Sequence, residues 1–85
     1  MKTFEYTIQD SLGIHARPAG ALAKEAKKYE SKIVIGKEGK TAEATKLMAL
    51  MGLGVKCGQK VEIEISGSDE EAAFQGIKAF FEANL

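Results

Sequence analysis

The sequence is poor in the residues that usually announce a chemistry. It has one cysteine, one proline, one histidine and no tryptophan among 85 residues. A lone thiol, Cys57, can form neither an internal disulfide nor a metal site by itself, and it fits a reducing compartment. Net charge is missing as well: twelve lysines and arginines balance twelve aspartates and glutamates. A general nucleic-acid binder would carry a basic excess, so that class is set aside. No apolar run approaches the length of a bilayer crossing, and no charged-then-apolar leader opens the chain. A cytoplasmic protein without membrane insertion is expected. The 45% hydrophobic content suffices for one domain, residues 1–85, around one small core.

The rare residues are not scattered. Gly13-Ile14-His15-Ala16-Arg17-Pro18-Ala19-Gly20 holds the only histidine and the only proline. Ala19, Leu22, Ala23 and Ala26 follow at the spacing of one buried helix face. Proline is tolerated in a helix's first turn, where its missing N–H has no intrahelical partner. A helix therefore starts within a residue or two of Arg17, with His15 at its mouth, and runs to about Lys28. None of His15, Ala16 or Arg17 is a usual capping residue. The free N–H groups and the positive end of the helix dipole are left for an anion from outside. Arg17 adds a fork of donors suited to phosphate, and His15 a nucleophilic ring nitrogen, whose neutral form the helix end favours. A solitary histidine is more often a surface residue with no task. Here three features converge on one anion, which points to a phosphate-accepting site. No second acid or base and no metal-ligand cluster is evident near His15, and no metal or cofactor is expected.

The rest of the chain supplies a scaffold. Phe4, Tyr6 and Ile8 alternate with Glu5 and Thr7 in a half-buried strand over residues 2–9, with Lys2 also placed on the polar side. Ile33-Val34-Ile35 forms a second strand, Gly36–Gly39 a hairpin turn, and Lys40–Glu43 a short polar returning strand suited to a sheet edge. Thr45 is the expected N-cap of a short second helix, with Leu47, Leu50 and Met51 inward, Met48 outward, and Gly52 and Gly54 at its end. Apolar side chains on more than one face of so short a segment suggest docking, although core packing explains the inward three as well. Val61, Ile63 and Ile65 alternate with Glu62 and Glu64 in the clearest strand. Ser68 and Glu71 have capping-box spacing before a last helix with Ala73, Phe74, Ile77, Phe80 and Phe81 on its core face. Gly76, inside that helix, costs about 1 kcal/mol against alanine, which implies a close contact. The order βαββαβα makes an α+β fold. If the first two strands are parallel but not adjacent, the last strand fits between them. The result is a four-stranded antiparallel sheet with three helices on one face, an open-faced β-sandwich.

Gly-Ile-His-Ala-Arg-Pro-Ala, placed this early, resembles the active-site signature of the HPr family, the histidine-containing phosphocarriers of the bacterial sugar phosphotransferase system. Lys46–Gly54 resembles the family's second-helix motif, and the likeness covers essentially the whole chain. The resemblance implies strand order 1-4-2-3. It implies that Nδ1 of His15 takes a phosphoryl group from the phosphohistidine of enzyme I and yields it to enzyme IIA proteins. Arg17 and the amides of Ala16 and Arg17 would hold the phosphate. Partners would dock on Arg17, Gly20, Lys24 and Lys27 of the first helix and on Leu47, Met48 and Met51 of the second, with the protein a monomer. One position departs from the pattern. Many members carry a serine where this chain has Lys46, and in low-GC Gram-positive bacteria a kinase phosphorylates it. Lys46 cannot accept that phosphate, so serine-linked regulation is expected to be absent, with Thr45 a weak substitute. Two rivals remain: an acylphosphatase-like hydrolase, which needs a group to orient water, and a regulatory paralogue, which typically lacks the histidine.

Overall fold

The computed structural model describes all residues, Met1–Leu85. Its elements are β1 (Lys2–Thr7), α1 (Ala16–Ala26), β2 (Lys32–Lys37), β3 (Lys40–Glu43), α2 (Leu47–Gly52), β4 (Lys60–Ser66) and α3 (Glu70–Asn84). The sheet order is β1-β4-β2-β3, and every neighbouring pair is antiparallel. This is the open-faced sandwich that the strand and helix order implied. No helix is long and apolar enough to cross a membrane.

The sheet is two-faced because its strands alternate. Phe4 lies opposite Ile63, Tyr6 opposite Val61, and Ile35 opposite both Ile63 and Ala42. These side chains share the face that the helices cover, with Leu22, Leu50, Ile77 and Phe81 fully buried above them. The other face presents Glu5 opposite Glu62 and Thr3 opposite Glu64. Such side chains need water, so that face stays open. β1 is shorter than expected, and Lys2 lies on the same side as Phe4 rather than the polar side, with its ammonium 5.9 Å from the Phe74 ring centre. Phe4 meets Phe74 and Phe81 edge-on at 5.5 and 5.9 Å, a preferred aromatic geometry. Phe74 and Phe80 are only partly buried at the margin of this cluster.

The hairpin between β2 and β3 is tighter than the four residues expected. Lys37 pairs with Lys40, so only Glu38 and Gly39 turn the chain, at φ 51° and 84°. Two positive φ values match a type I′ turn, whose twist suits a hairpin. α2 also differs from expectation. Ala44 and Thr45 form a turn, and the N-cap is Lys46, which makes no side-chain cap. A six-residue helix can bury little more than one stripe, and here only Leu50 is buried, while Leu47 and Met51 are each 39% exposed. Met48 is exposed as expected, and Gly54, at φ 64°, follows the helix's C-terminus.

The Ser68–Glu71 capping box does not form. Asp69 occupies the N-cap of α3, the Glu70 carboxylate accepts the Gly67 N–H at 3.2 Å, and the Ser68 hydroxyl donates to Glu30 at 2.9 Å. Asp69 instead reaches across the fold and accepts the N–H groups of Glu30 and Ser31, each at 2.9 Å, and the Ser31 hydroxyl. These bonds, the Ser31 hydroxyl first, hold its carboxyl below the ordinary aspartate range. They tie the segment after α1 to the start of α3. The other tie is at Gly76, against which the Tyr29 ring packs so closely that a β-carbon there would lie 1.8 Å from its hydroxyl oxygen.

Candidate functional site

α1 opens as its sequence requires. His15 is the N-cap, in extended conformation at φ −107° and ψ −177°, and makes no side-chain cap. The first helical bond runs from the Ala19 N–H to the His15 carbonyl at 2.9 Å. Ahead of it, Ala16 and Arg17 keep free N–H groups, and Pro18 has none to leave unpaired. No acidic side chain lies in the first turn, so nothing within the helix neutralises its positive end. The helix's buried stripe is Pro18, Ala19, Leu22, Ala23 and Ala26, which fixes the axis and aims the free end at solvent. It ends two residues sooner than expected, with Lys27 as C-cap.

The loop before His15 is held as firmly. Gly13 sits at φ 70°, and a β-carbon there would fall 2.2 Å from the Val55 carbonyl oxygen. Only glycine fits both constraints. The Ile14 N–H then donates to the same carbonyl at 3.0 Å, and Ile14 is buried. His15 is thereby pinned between a closed loop and a helix start. Its side chain is 34% exposed, open to solvent without being free. The Arg17 side chain is exposed and forms no hydrogen bond or ion pair with the protein. His15, Arg17, Pro18 and Ala21 line an open hollow of about 370 Å³, completed by Asp10 and Asn84.

Asp10 corrects the sequence reading, which found no second acid or base near the histidine. Its Oδ1 lies 3.7 Å from His15 Nε2 and accepts the Leu12 N–H at 2.9 Å. The Asp10 N–H donates to the Leu85 backbone oxygen at 2.9 Å, which brings the end of α3 to the edge of the site. The signal in the sequence was an Asx turn at Asp10-Ser11-Leu12, a motif that bends the chain back through its own carboxylate.

The residues expected to meet partners form a rim rather than a pocket. Lys24 and Lys27 are exposed and Gly20 is half-buried on α1. Leu47, Met48 and Met51 are exposed on α2, which packs against α1. Leu12, 70% exposed in the loop before His15, adds an apolar side chain that the sequence reading did not single out.

Residues 2–83 match a protein family described as the PTS HPr component phosphorylation site. The chain is 40% identical over 85 residues to the phosphocarrier protein HPr of Mycoplasma genitalium, covering 99% of this chain and 97% of that one. It is 39% identical to HPr of Lysinibacillus sphaericus over 91% of this chain and 88% of the relative. Its fold superposes on the crystal structure of HPr-C-His from Thermoanaerobacter tengcongensis with a TM-score of 0.92, at 35% identity, covering 98% and 93% of the two chains.

Proposed function

From the membership of this chain in the HPr family of phosphotransferase-system phosphocarriers, we propose that it receives a phosphoryl group on His15 from phosphorylated enzyme I and passes it to enzyme IIA proteins or domains. The observation that carries the proposal is the uncapped start of α1, with His15 at its N-cap and two unpaired N–H groups behind it. The His15 ring is the nucleophile. The amides of Ala16 and Arg17 and the Arg17 guanidinium hold the phosphate oxygens. Transfer between phosphohistidines is largely a matter of placement and charge compensation, which this arrangement supplies.

The whole chain, residues 1–85, acts as one phosphocarrier domain, a cytoplasmic monomer. Enzyme I and the enzyme IIA proteins share one surface, with Arg17, Gly20, Lys24 and Lys27 on one side and Leu47, Met48 and Met51 on the other. Methionines adapt to partners of different shape, and a small apolar patch with charged edges releases quickly. Lys46 removes the hydroxyl on which serine-linked regulation acts, so transport transfer is kept and that regulation is not. Stoichiometric phosphorylation of any hydroxyl by the family's kinase would refute this last point.

Incubation with enzyme I and phosphoenolpyruvate is the test. An acid-labile phosphate is expected on the protein and not on His15→Ala. Retention of the label by the alanine variant would overturn the assignment. Hydrolysis of an acyl phosphate by the protein alone would favour the hydrolase reading instead.

A further inference from the structure

A carboxylate stands beside the reactive ring. Asp10 Oδ1 is 3.7 Å from His15 Nε2, longer than a hydrogen bond but within ion-pair range. The carboxylate is not free to drift. The Leu12 N–H holds Oδ1 at 2.9 Å, and the Leu85 backbone oxygen holds the Asp10 N–H at 2.9 Å. Both side chains are about two-thirds sheltered, at 29% and 34% exposed. On an imidazole, the partner of one nitrogen decides which nitrogen carries the hydrogen. An ionised carboxylate only accepts, so it favours the hydrogen on Nε2 and leaves the lone pair on Nδ1. Such contacts are commonly long in a resting site and tighten in the reacting complex.

We propose that Asp10 is a positioning residue for phosphoryl transfer: it keeps the hydrogen on Nε2 of His15, so that Nδ1 attacks on the way in and a neutral imidazole leaves on the way out. The proposal rests on the reading of His15 as the phosphoryl acceptor. On acceptance, the Nδ1 lone pair forms the new N–P bond, and the electron pair of the donor's N–P bond returns to the donor ring. The His15 ring keeps its hydrogen on Nε2 and becomes cationic, and that charge faces Asp10. On transfer, the N–P bond breaks, its electron pair stays on Nδ1, and the ring is again neutral with its hydrogen in place. Loss of that hydrogen between the two steps would make the leaving group an imidazolate, a much poorer one. Asp10 and Arg17 thus divide the work: one guards the proton, the other meets the phosphate.

The variant is Asp10→Asn, which removes the charge but keeps an oxygen for the Leu12 N–H. Long-range ¹H–¹⁵N spectra of the unphosphorylated protein, recorded with the ring neutral, report where the hydrogen sits. The ratio of the Nε2–H to the Nδ1–H form is expected to fall about threefold or more. Quench-flow transfer from the phosphorylated protein to a histidine-bearing acceptor is expected to slow by about tenfold, with His15 still labelled to full stoichiometry. An unchanged ring spectrum, or an unchanged transfer rate, overturns the role of Asp10 while leaving His15 as the acceptor. Wild-type protein that never takes the label on His15 overturns the parent reading, whatever the ring spectrum shows.

Discussion

Replacing Gly76 with alanine sets two effects of known size against each other. Gly76 lies inside α3, where alanine is favoured over glycine by about 1 kcal/mol. Against this, the new β-carbon would lie 1.8 Å from the Tyr29 hydroxyl oxygen and 2.9 Å from the ring carbon that bears it. The ring must swing away, and its hydroxyl then gives up the bond it donates to Glu25 Oε2 at 3.0 Å. A hydrogen bond to a charged acceptor contributes about 1.5–3 kcal/mol, and the part-exposed position here puts it at the low end. Packing of the ring against α3 adds about 1 kcal/mol. The clash wins, and Gly76→Ala should destabilise the protein by about 1–2 kcal/mol, or about 5–15 °C in Tm for a domain of this size. Urea denaturation followed by circular dichroism measures it. The sign should reverse in a Tyr29→Ala background, where no ring remains to displace and alanine at position 76 should stabilise by about 0.5–1 kcal/mol. A stability gain from Gly76→Ala alone would show that the Tyr29 ring is not packed against α3 as the geometry requires.

Lys46→Ser should stabilise the protein by about 1 kcal/mol, because it supplies the capping oxygen that α2 lacks and removes a cation from its positive end; urea titration checks it. Asp69 has a folded-state pKa below its unfolded value, so the stability it contributes is present above about pH 4 and is lost as pH falls through the folded value. Asp69→Asn should therefore weaken the protein at neutral pH and flatten the acid limb of its stability profile; an acid limb of unchanged steepness would contradict this. Arg17→Ala should leave stability nearly unchanged, since the side chain has no partner within the protein, and should slow phosphoryl transfer by about tenfold to a hundredfold. Quench-flow kinetics with phosphorylated enzyme I measures that loss.

What the sequence disclosed follows from how local each signal is. β4 alternates strictly, and its inward and outward residues fall where the pattern put them. The uncapped start of α1 was legible because capping depends on residue types next to the helix end. The buried stripe and the N-cap of α2 differ from expectation for two separate reasons. In six residues, a spacing of three and four cannot separate a buried stripe from a docking surface, and Thr45, a sound capping residue, is taken up by the turn before it. The contact between Asp10 and His15 depends on the closure of a loop, which no periodicity encodes. Asp69 stands at the start of α3, but its partners Glu30 and Ser31 lie 39 and 38 residues away in the chain. Long-range pairing of that kind emerges only once the sheet has brought the two segments together.

In the proposed function, a phosphoryl group rides on Nδ1 of His15 at the open end of α1. Uniformly ¹⁵N-labelled protein, phosphorylated by enzyme I and phosphoenolpyruvate, tests it directly through ³¹P–¹⁵N coupling. One phosphorus coupled to the His15 nitrogen nearer the main chain is the predicted result. Phosphorus on Nε2, on a hydroxyl, on a lysine, or on no residue at all would contradict it.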